Sequence, residues 1–147
     1  MRKFISLLLS VVLLFGLISI SPDFEEKALA ENVINPMVSG GISYTISLKN
    51  DGTVWAWGDN YDGQLGDGTT KNRDTPVQVN SLTGIIQISA GNFHNIALKH
   101  DGTVWAWGFN YNGQLGDGTK TKKSTPVQIS GLSGIIQISA GGFIPSH

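Results

Sequence analysis

The sequence of 147 residues contains no cysteine, so it can form neither a disulfide nor a lipid attachment through a cysteine side chain. Charged residues make up only 14% of the chain, and the formal net charge is -1. Such a charge creates no overall field that would attract nucleic acid or an anionic membrane, so we expect neither as a partner. Helical spacing of apolar residues is absent after the N-terminal segment, whereas 19 glycines are present. This composition predicts an all-β protein that is held together by packing alone.

The longest apolar run lies near the N-terminus, over residues 4–20, and it follows a positively charged start. The polar segment after it ends in Ala28 and Ala30, which form an A-x-A cleavage site before Glu31. We therefore expect residues 1–30 to be a secretory signal peptide and the protein to be secreted or held at the cell surface. An uncleaved membrane anchor is the alternative, although about 17 residues are at the short limit for a membrane span.

A stretch with a period of about 50 residues occurs twice in the rest of the chain, which is typical of propellers and other repeat arrays. The letters DGTVWAWG are followed both times by a loop with the letters N-Y-x-G-Q-L-G-D-G-T and then by T-P-V-Q. All four tryptophans lie in these stretches. We divide the region 31–147 into repeat 1 (38–87), repeat 2 (88–137) and the start of a third repeat (138–147).

Each repeat is predicted to form four short strands. In repeat 2 they are Ile85–Ala90, Ile96–Lys99, Thr103–Gly108 and Thr125–Ile129. An Asp-Gly pair between the second and third strands predicts a tight hairpin turn. Because Pro126 cannot donate a hydrogen bond to a ladder, the fourth strand should be an outer edge or should start at this proline.

The third strand distinguishes two architectures. Successive side chains of a strand point to opposite faces, so Trp105 and Trp107 share one face and Val104 and Ala106 share the other. Both faces are apolar, one with large and one with small side chains. Stacked sheets need this combination if each bulky face meets the slimmer face of a neighbour. The pattern favours a propeller blade over a β-sandwich strand, in which one face is normally polar.

These motifs resemble the repeat of the regulator of chromosome condensation family. The resemblance covers residues 38–143 and is carried by W-G-x-N-x-x-G-Q-L-G-x-G, which occurs twice at the spacing of that family. It implies a propeller of four-stranded blades, usually seven, whereas the double glycine of kelch repeats is not kept in the second copy. The residues that form the structural core of the repeat are Trp55, Trp57, Gly58, Gly63, Leu65 and Gly66, with Trp105, Trp107, Gly108, Gly113, Leu115 and Gly116.

Two repeats are too few for a closed ring, so the sequence predicts a partial propeller of about two blades. The third repeat departs abruptly from the second after Phe143, which a truncated reading frame or a terminal cap would explain. Two blades leave apolar faces uncovered, each of a few hundred Å² by estimate. We therefore expect a marginally stable monomer, and either self-association through the exposed blade faces or partial disorder.

No residue pattern indicates catalysis, a metal or a cofactor. His94, His100 and His147 share no ligand spacing, and Ser89 and Ser139 lie outside any nucleophile motif. The Asp59 segment superficially resembles the start of a calcium loop, but the second copy lacks its ligands. The sequence therefore predicts a protein that is not an enzyme and has no cofactor.

The best candidates for a binding surface are the loops before each fourth strand, since they differ most between the copies while their framework is kept. We expect non-catalytic protein–protein interaction through these loops. The family includes a nuclear exchange factor for the small GTPase Ran and an exported inhibitor of β-lactamase, and the leader favours a role of the second kind. The alternatives are a lectin-like module for cell-surface glycans, an exchange factor, and a degraded fragment without function. The candidate residues are Asp59, Tyr61, Lys71, Arg73, Phe109, Tyr111, Lys120, Lys122 and Lys123.

Overall fold

The computed structural model describes residues 34–142. The predicted leader with Ala28 and Ala30, and the last five residues with His147, lie outside this part of the chain. No helix among residues 34–142 is long and apolar enough to span a bilayer. The described residues form strands β1 (Met37–Gly40), β2 (Tyr44–Leu48), β3 (Val54–Gly58), β4 (Arg73–Gln78), β5 (Ile85–Ala90), β6 (His94–Lys99), β7 (Val104–Gly108) and β8 (Lys123–Gln128).

The eight strands form two four-stranded antiparallel sheets, each in simple sequence order. Sheet 1 contains β1 to β4 and sheet 2 contains β5 to β8. The sheets do not close into a ring, so the predicted architecture of about two propeller blades is confirmed. The repeat boundary at residues 87 and 88 falls inside β5, because the sequence period is offset from the structural blade.

The predicted Asp-Gly turns join the second and third strands of both sheets. In sheet 1 the carboxylate of Asp51 accepts hydrogen bonds from the backbone N–H and the hydroxyl of Thr53, at 2.9 and 2.6 Å. Asp101 binds Thr103 in the same way in sheet 2. Gly102 has φ 79, a left-handed conformation that glycine adopts without strain, which explains the Asp-Gly sequence of the turn.

The fourth strand of each sheet is an outer edge, as the proline predicted. Its predicted bounds were wrong, however, since β8 begins at Lys123 and ends at Gln128. Lys123 pairs with Gly108, so pairing extends into polar residues that carry no apolar signal. The register shifts between Ala106 and Gly108, and this irregularity accommodates Pro126 inside the strand. The second strand likewise starts earlier than predicted, at His94.

The main core lies between the two sheets. Sheet 1 presents its slim face, with Ile46, Val54 and Ala56 fully buried, and sheet 2 presents Trp107 and Trp105 against it. The predicted alternation of bulky and slim faces is therefore confirmed at this interface. A second cluster covers the opposite, slim face of sheet 2, with Leu98, Val104, Ala106, Leu115 and Ile129 as its buried members.

Candidate interaction site

The candidate loops are loop A (residues 59–72) in sheet 1 and loop B (residues 109–122) in sheet 2. Asn60 is fully buried at the base of loop A. Its side-chain oxygen accepts a 2.9 Å hydrogen bond from the N–H of Leu65. Its amide nitrogen donates to a carboxylate oxygen of Asp67 and to the main-chain oxygens of Thr69 and Lys71, at 3.0–3.2 Å. A single buried amide therefore fixes the path of the whole loop.

Loop B repeats this arrangement around Asn110. The oxygen of Asn110 accepts from the N–H of Leu115, and its nitrogen donates to Asp117 and to the main-chain oxygens of Thr119 and Thr121. Sequence analysis missed the importance of both asparagines, although their identity in the two copies was a signal. The two loops thus share one internal framework and differ in what they expose.

An acidic residue at the centre of each loop is held by a basic residue of the following strand. Arg73 donates two hydrogen bonds to Asp67, at 2.9 and 2.6 Å, and the ammonium group of Lys123 lies 3.3 Å from Asp117. Desolvation would raise the pKa of Asp117, but hydrogen bonds from Thr119, Asn110 and Lys123 outweigh it and lower the pKa to about 2. Arg73 and Lys123 lie in β4 and β8 and serve internal ion pairs, so their placement in solvated loops was wrong.

Lys122 connects the two loops. Its ammonium group donates a 2.7 Å hydrogen bond to the main-chain oxygen of Tyr61, lies 3.6 Å from the carboxylate of Asp62 and sits 4.7 Å from the centre of the Tyr61 ring. Because Lys122 belongs to loop B and Tyr61 to loop A, the loops form one continuous surface.

Two tyrosines dominate the exposed part of this surface. The Tyr61 side chain is 74% exposed and that of Tyr111 57%. Tyr111 stacks edge to face on Phe109, which stacks in the same way on Phe93, with 5.0 and 6.3 Å between ring centres. Lys71 and Lys120 of the same two loops are also exposed. Asp59, by contrast, accepts a 2.7 Å hydrogen bond from Gln64 and belongs to the internal framework.

A cavity of about 780 Å³ opens beside loop B, on the slim side of sheet 2. Its lining residues include Phe93, His94, Phe109, Gln114 and Gly141, together with Ile42 and Asp62 from the first repeat. His94 is the first residue of β6, and its burial lowers its pKa below the ordinary value. Among residues 34–142, no group of three or more histidine or acidic side chains is placed to hold a metal ion.

The structure places the predicted repeat-core residues in two environments. Trp107 is fully buried between the sheets, and Gly63, Leu65 and Gly66 of loop A are also buried. The counterparts of these residues are more exposed. Trp55 and Trp57 of repeat 1 are half-buried on the outer face of sheet 1. In loop B, Gly113 is half-buried and Gly116 is exposed, whereas Leu115 is buried. Gly58 is half-buried and Gly108 is buried. The difference arises because the described residues contain one interface between blades.

Comparison with known proteins agrees with this geometry. The family model described as "Regulator of chromosome condensation (RCC1) repeat" matches residues 51–98 and 101–144, and a second model of the same description matches residues 85–114. The mouse E3 ubiquitin-protein ligase HERC2 is 35% identical over 66 residues, which is 45% of this chain and 1% of HERC2.

Solved structures share the fold. Human WBSCR16 is 24% identical with a TM-score of 0.63, over 74% of this chain and 30% of that one. Prp20p from Saccharomyces cerevisiae, described with its binding to Gsp1p and histones, is 20% identical with a TM-score of 0.60, over 67% and 26%. This chain thus spans at most 30% of the length of these three proteins.

Two stacked four-stranded antiparallel blades with a shared loop surface define a β-propeller protein, here in partial form. The repeat matches make the membership specific: the chain belongs to the regulator of chromosome condensation (RCC1) repeat family, whose propellers are generally binding or regulatory modules.

Proposed function

We propose that this chain is an exported, non-catalytic protein-interaction module that binds its partner through the surface formed by loops A and B. The observation that carries the proposal is the contrast within each loop. Buried Asn60 and Asn110 hold the same rigid framework twice, while Tyr61 and Tyr111 project from it with large exposed fractions.

Such a surface suits a protein partner for physical reasons. Rigid loops lose little conformational freedom on binding, so less interaction energy is consumed in ordering them. Tyrosine is enriched among the residues that dominate binding energy, because its ring gives a large contact area and its hydroxyl a hydrogen bond. Lys71 and Lys120 add positive charge at the rim, which favours an acidic region on the partner. The binding of Gsp1p and histones that is described for Prp20p is an analogy in support.

Export rests on the leader pattern of residues 1–30, which makes an extracellular or surface partner part of the proposal. A nuclear exchange role fits that location poorly. The proposal assigns no reaction to the chain.

The test is a comparative capture experiment. The wild-type chain and a Tyr61→Ala, Tyr111→Ala variant are immobilised and exposed to culture medium and cell-envelope extract, and retained proteins are quantified by mass spectrometry. We expect at least one protein to bind the wild type and to be lost, by tenfold or more, from the variant.

The matched control changes the opposite end of each blade. Thr83→Ala with Ser133→Ala alters two exposed, equivalent positions and should retain the same protein as the wild type. Equal capture by all three chains would contradict binding through loops A and B. Tyrosine-dependent binding to a glycan array without any captured protein would replace the proposal with the lectin-like alternative.

A further inference from the structure

The segment 135–140 has the sequence of a strand but belongs to neither sheet. Its letters, IIQISA, are identical to those of β5, which pairs with β6 along its whole length. In the described part of the chain, residues 135–140 pair with no strand, and Ile136 is 92% exposed. A hexapeptide of high β-propensity therefore lies beside sheet 2, and no strand among residues 34–142 pairs with it.

The position of this segment is that of an inner strand of a next blade. Within the chain, β5 docks on β1 through bonds from the N–H groups of Ile88 to Met37 and of Ala90 to Ser39. Segment 135–140 docks on β5 at the equivalent positions, since the N–H groups of Ile138 and Ala140 donate to Gln87 and Ser89. Ile135 also donates to Gly102, as Ile85 does to Gly52.

Beside this segment lies loop B, the counterpart of the loop that receives an indole face at the internal interface. At the internal interface the main-chain oxygen of Gln64 accepts from both Trp107 and Asn95, at 2.9 and 2.8 Å. Gln114 is the equivalent residue of loop B, and it lines the cavity of about 780 Å³ on the slim side of sheet 2. The only indole face in residues 34–142 that does not already meet a sheet is that of Trp55 and Trp57 on sheet 1.

We propose that a second copy of this chain docks the indole face of its sheet 1 on the slim face of sheet 2, and that residues 135–140 replace β1 as the inner strand of the docked sheet. Trp57 of the second copy then occupies the position at Gln114 that Trp107 occupies at Gln64. The proposal goes beyond partner binding by loops A and B and does not depend on it.

The exchange of β1 is favourable for a chemical reason. β1 has four residues and is preceded by Pro36, whereas residues 135–140 offer six with isoleucines at 135 and 136. Met37 of β1 offers only its sulfur atom, a weak acceptor, to the N–H of Ile88 in β5. Gln137 takes its position after exchange, and a glutamine there forms two main-chain hydrogen bonds, as Gln87 does with Ile138 at 3.0 and 3.1 Å.

Charge at the two interfaces is also consistent. The internal interface pairs Asp62 with Lys122. The equivalent residues at the proposed interface are Asn112 and Asn72, so both charges are replaced together by neutral amides. The proposed docking therefore leaves neither half of an Asp62–Lys122 type of pair without its partner, whereas a lysine at position 72 would face the neutral Asn112.

The first experiment measures mass by light scattering over a wide concentration range, using the full chain with the intact mass recorded to show whether residues 1–30 remain. We expect the average measured mass to rise from that of one chain to that of two or more chains as the concentration increases. The N–H groups of Ile138 and Ala140 point to β5, so the N–H of Ser139 points the opposite way, toward β2 of the docked copy. Ser139→Pro removes this N–H and should give single-chain mass with an unchanged circular dichroism spectrum. Ser139→Ala is the matched control and should associate like the wild type.

The second experiment tests the head-to-tail geometry with introduced thiols, since the chain has no cysteine of its own. In the internal interface Ser124 accepts a hydrogen bond from Gly68 of loop A and lies against Gly63. The equivalent inter-copy contact places Asp74 next to loop B. A mixture of Asp74→Cys and Asn112→Cys chains, treated with a short bismaleimide, should form a covalent dimer that neither variant forms alone.

Each other outcome overturns the proposal. A wild type that keeps single-chain mass at all concentrations, or a Ser139→Pro variant that associates as strongly as the wild type, would refute docking by strand exchange. Dimers formed by one thiol variant alone would show a symmetric contact between identical patches instead.

Discussion

The indole nitrogen of Trp107 in β7 donates a 2.9 Å hydrogen bond to the main-chain oxygen of Gln64 in loop A. This bond joins the packing of the two sheets to the shape of the candidate binding surface. Gly66 makes the approach possible, because a Cβ at this residue would lie 2.9 Å from the same nitrogen atom. The packing of the core between the blades therefore depends directly on the conformation of loop A.

Truncation of Trp107 should consequently destabilise the whole chain. Trp107→Ala removes a fully buried indole and leaves the oxygen of Gln64 with one donor fewer, so we expect the free energy of unfolding to fall by about 3–5 kcal/mol. Urea unfolding followed by circular dichroism measures this loss. The equivalent change Trp57→Ala, made at a concentration where the chain is a monomer, should cost much less because Trp57 is half-exposed. Equal losses for both would contradict the assignment of Trp107 to the interface core.

Replacement of the buried amide of Asn60 should disorganise loop A. Asn60→Asp places a carboxylate against Asp67 and two main-chain oxygens, which share the two N–H groups of the native amide nitrogen. We expect a loss of at least about 1–3 kcal/mol, since buried acceptors then face each other without a proton between them.

Asn72→Asp is the matched control for this change. Its side-chain oxygen accepts from the N–H of Asn60, and an aspartate at this exposed position still accepts that bond. Hydrogen exchange of the Leu65 N–H, which Asn60 binds, should accelerate in Asn60→Asp and stay unchanged in Asn72→Asp. Unchanged protection in Asn60→Asp would show that the loop does not depend on this amide.

The blade pattern could be predicted because it depends on local periodicity. The alternation of Trp105 and Trp107 with Val104 and Ala106 follows from the two-residue period of a strand, and the edge position of Pro126 follows from its missing N–H. The structure confirms both expectations.

The loop framework could not be predicted in the same way. Asn110 has its partners at positions five to eleven residues away, and which main-chain oxygens surround a buried amide depends on the folded loop. The same limit explains the error at Lys123. A lysine before a strand suggests solvent, whereas pairing with Gly108 and the ion pair with Asp117 are tertiary contacts.

The leader pattern leads to a prediction about the residue at which the processed chain begins. Expression of the full chain in a host with a secretory pathway should release a protein that begins at Glu31, because signal peptidase cleaves after small residues at A-x-A sites. Intact mass and N-terminal sequencing measure this. Ala30→Arg should block cleavage, whereas the conservative change Ala30→Ser should leave it intact. Secretion without cleavage, or retention of the unprocessed wild type in the membrane, would favour an anchor instead.

Acid should weaken the blade that contains loop B. The pKa of Asp117 is held at about 2 in the folded chain, despite desolvation, by hydrogen bonds from Thr119, Asn110 and Lys123. A lowered folded-state pKa means that the unfolded state binds the proton more readily, so the stabilisation is complete above roughly pH 5 and is lost as the pH falls toward about 2.

Asp117→Asn isolates this contribution, because asparagine keeps an oxygen for Asn110 and Thr119 but carries no titratable charge. The wild-type unfolding temperature should fall relative to that of Asp117→Asn as the pH is lowered through this window, and the two chains should become similar near its lower end. An NMR titration of the Asp117 carboxyl group gives the pKa directly. A midpoint at the ordinary value of 3.8 would mean that the hydrogen bonds around this carboxylate do not stabilise its charge. The charge of Asp117 would then contribute nothing to the stability of loop B.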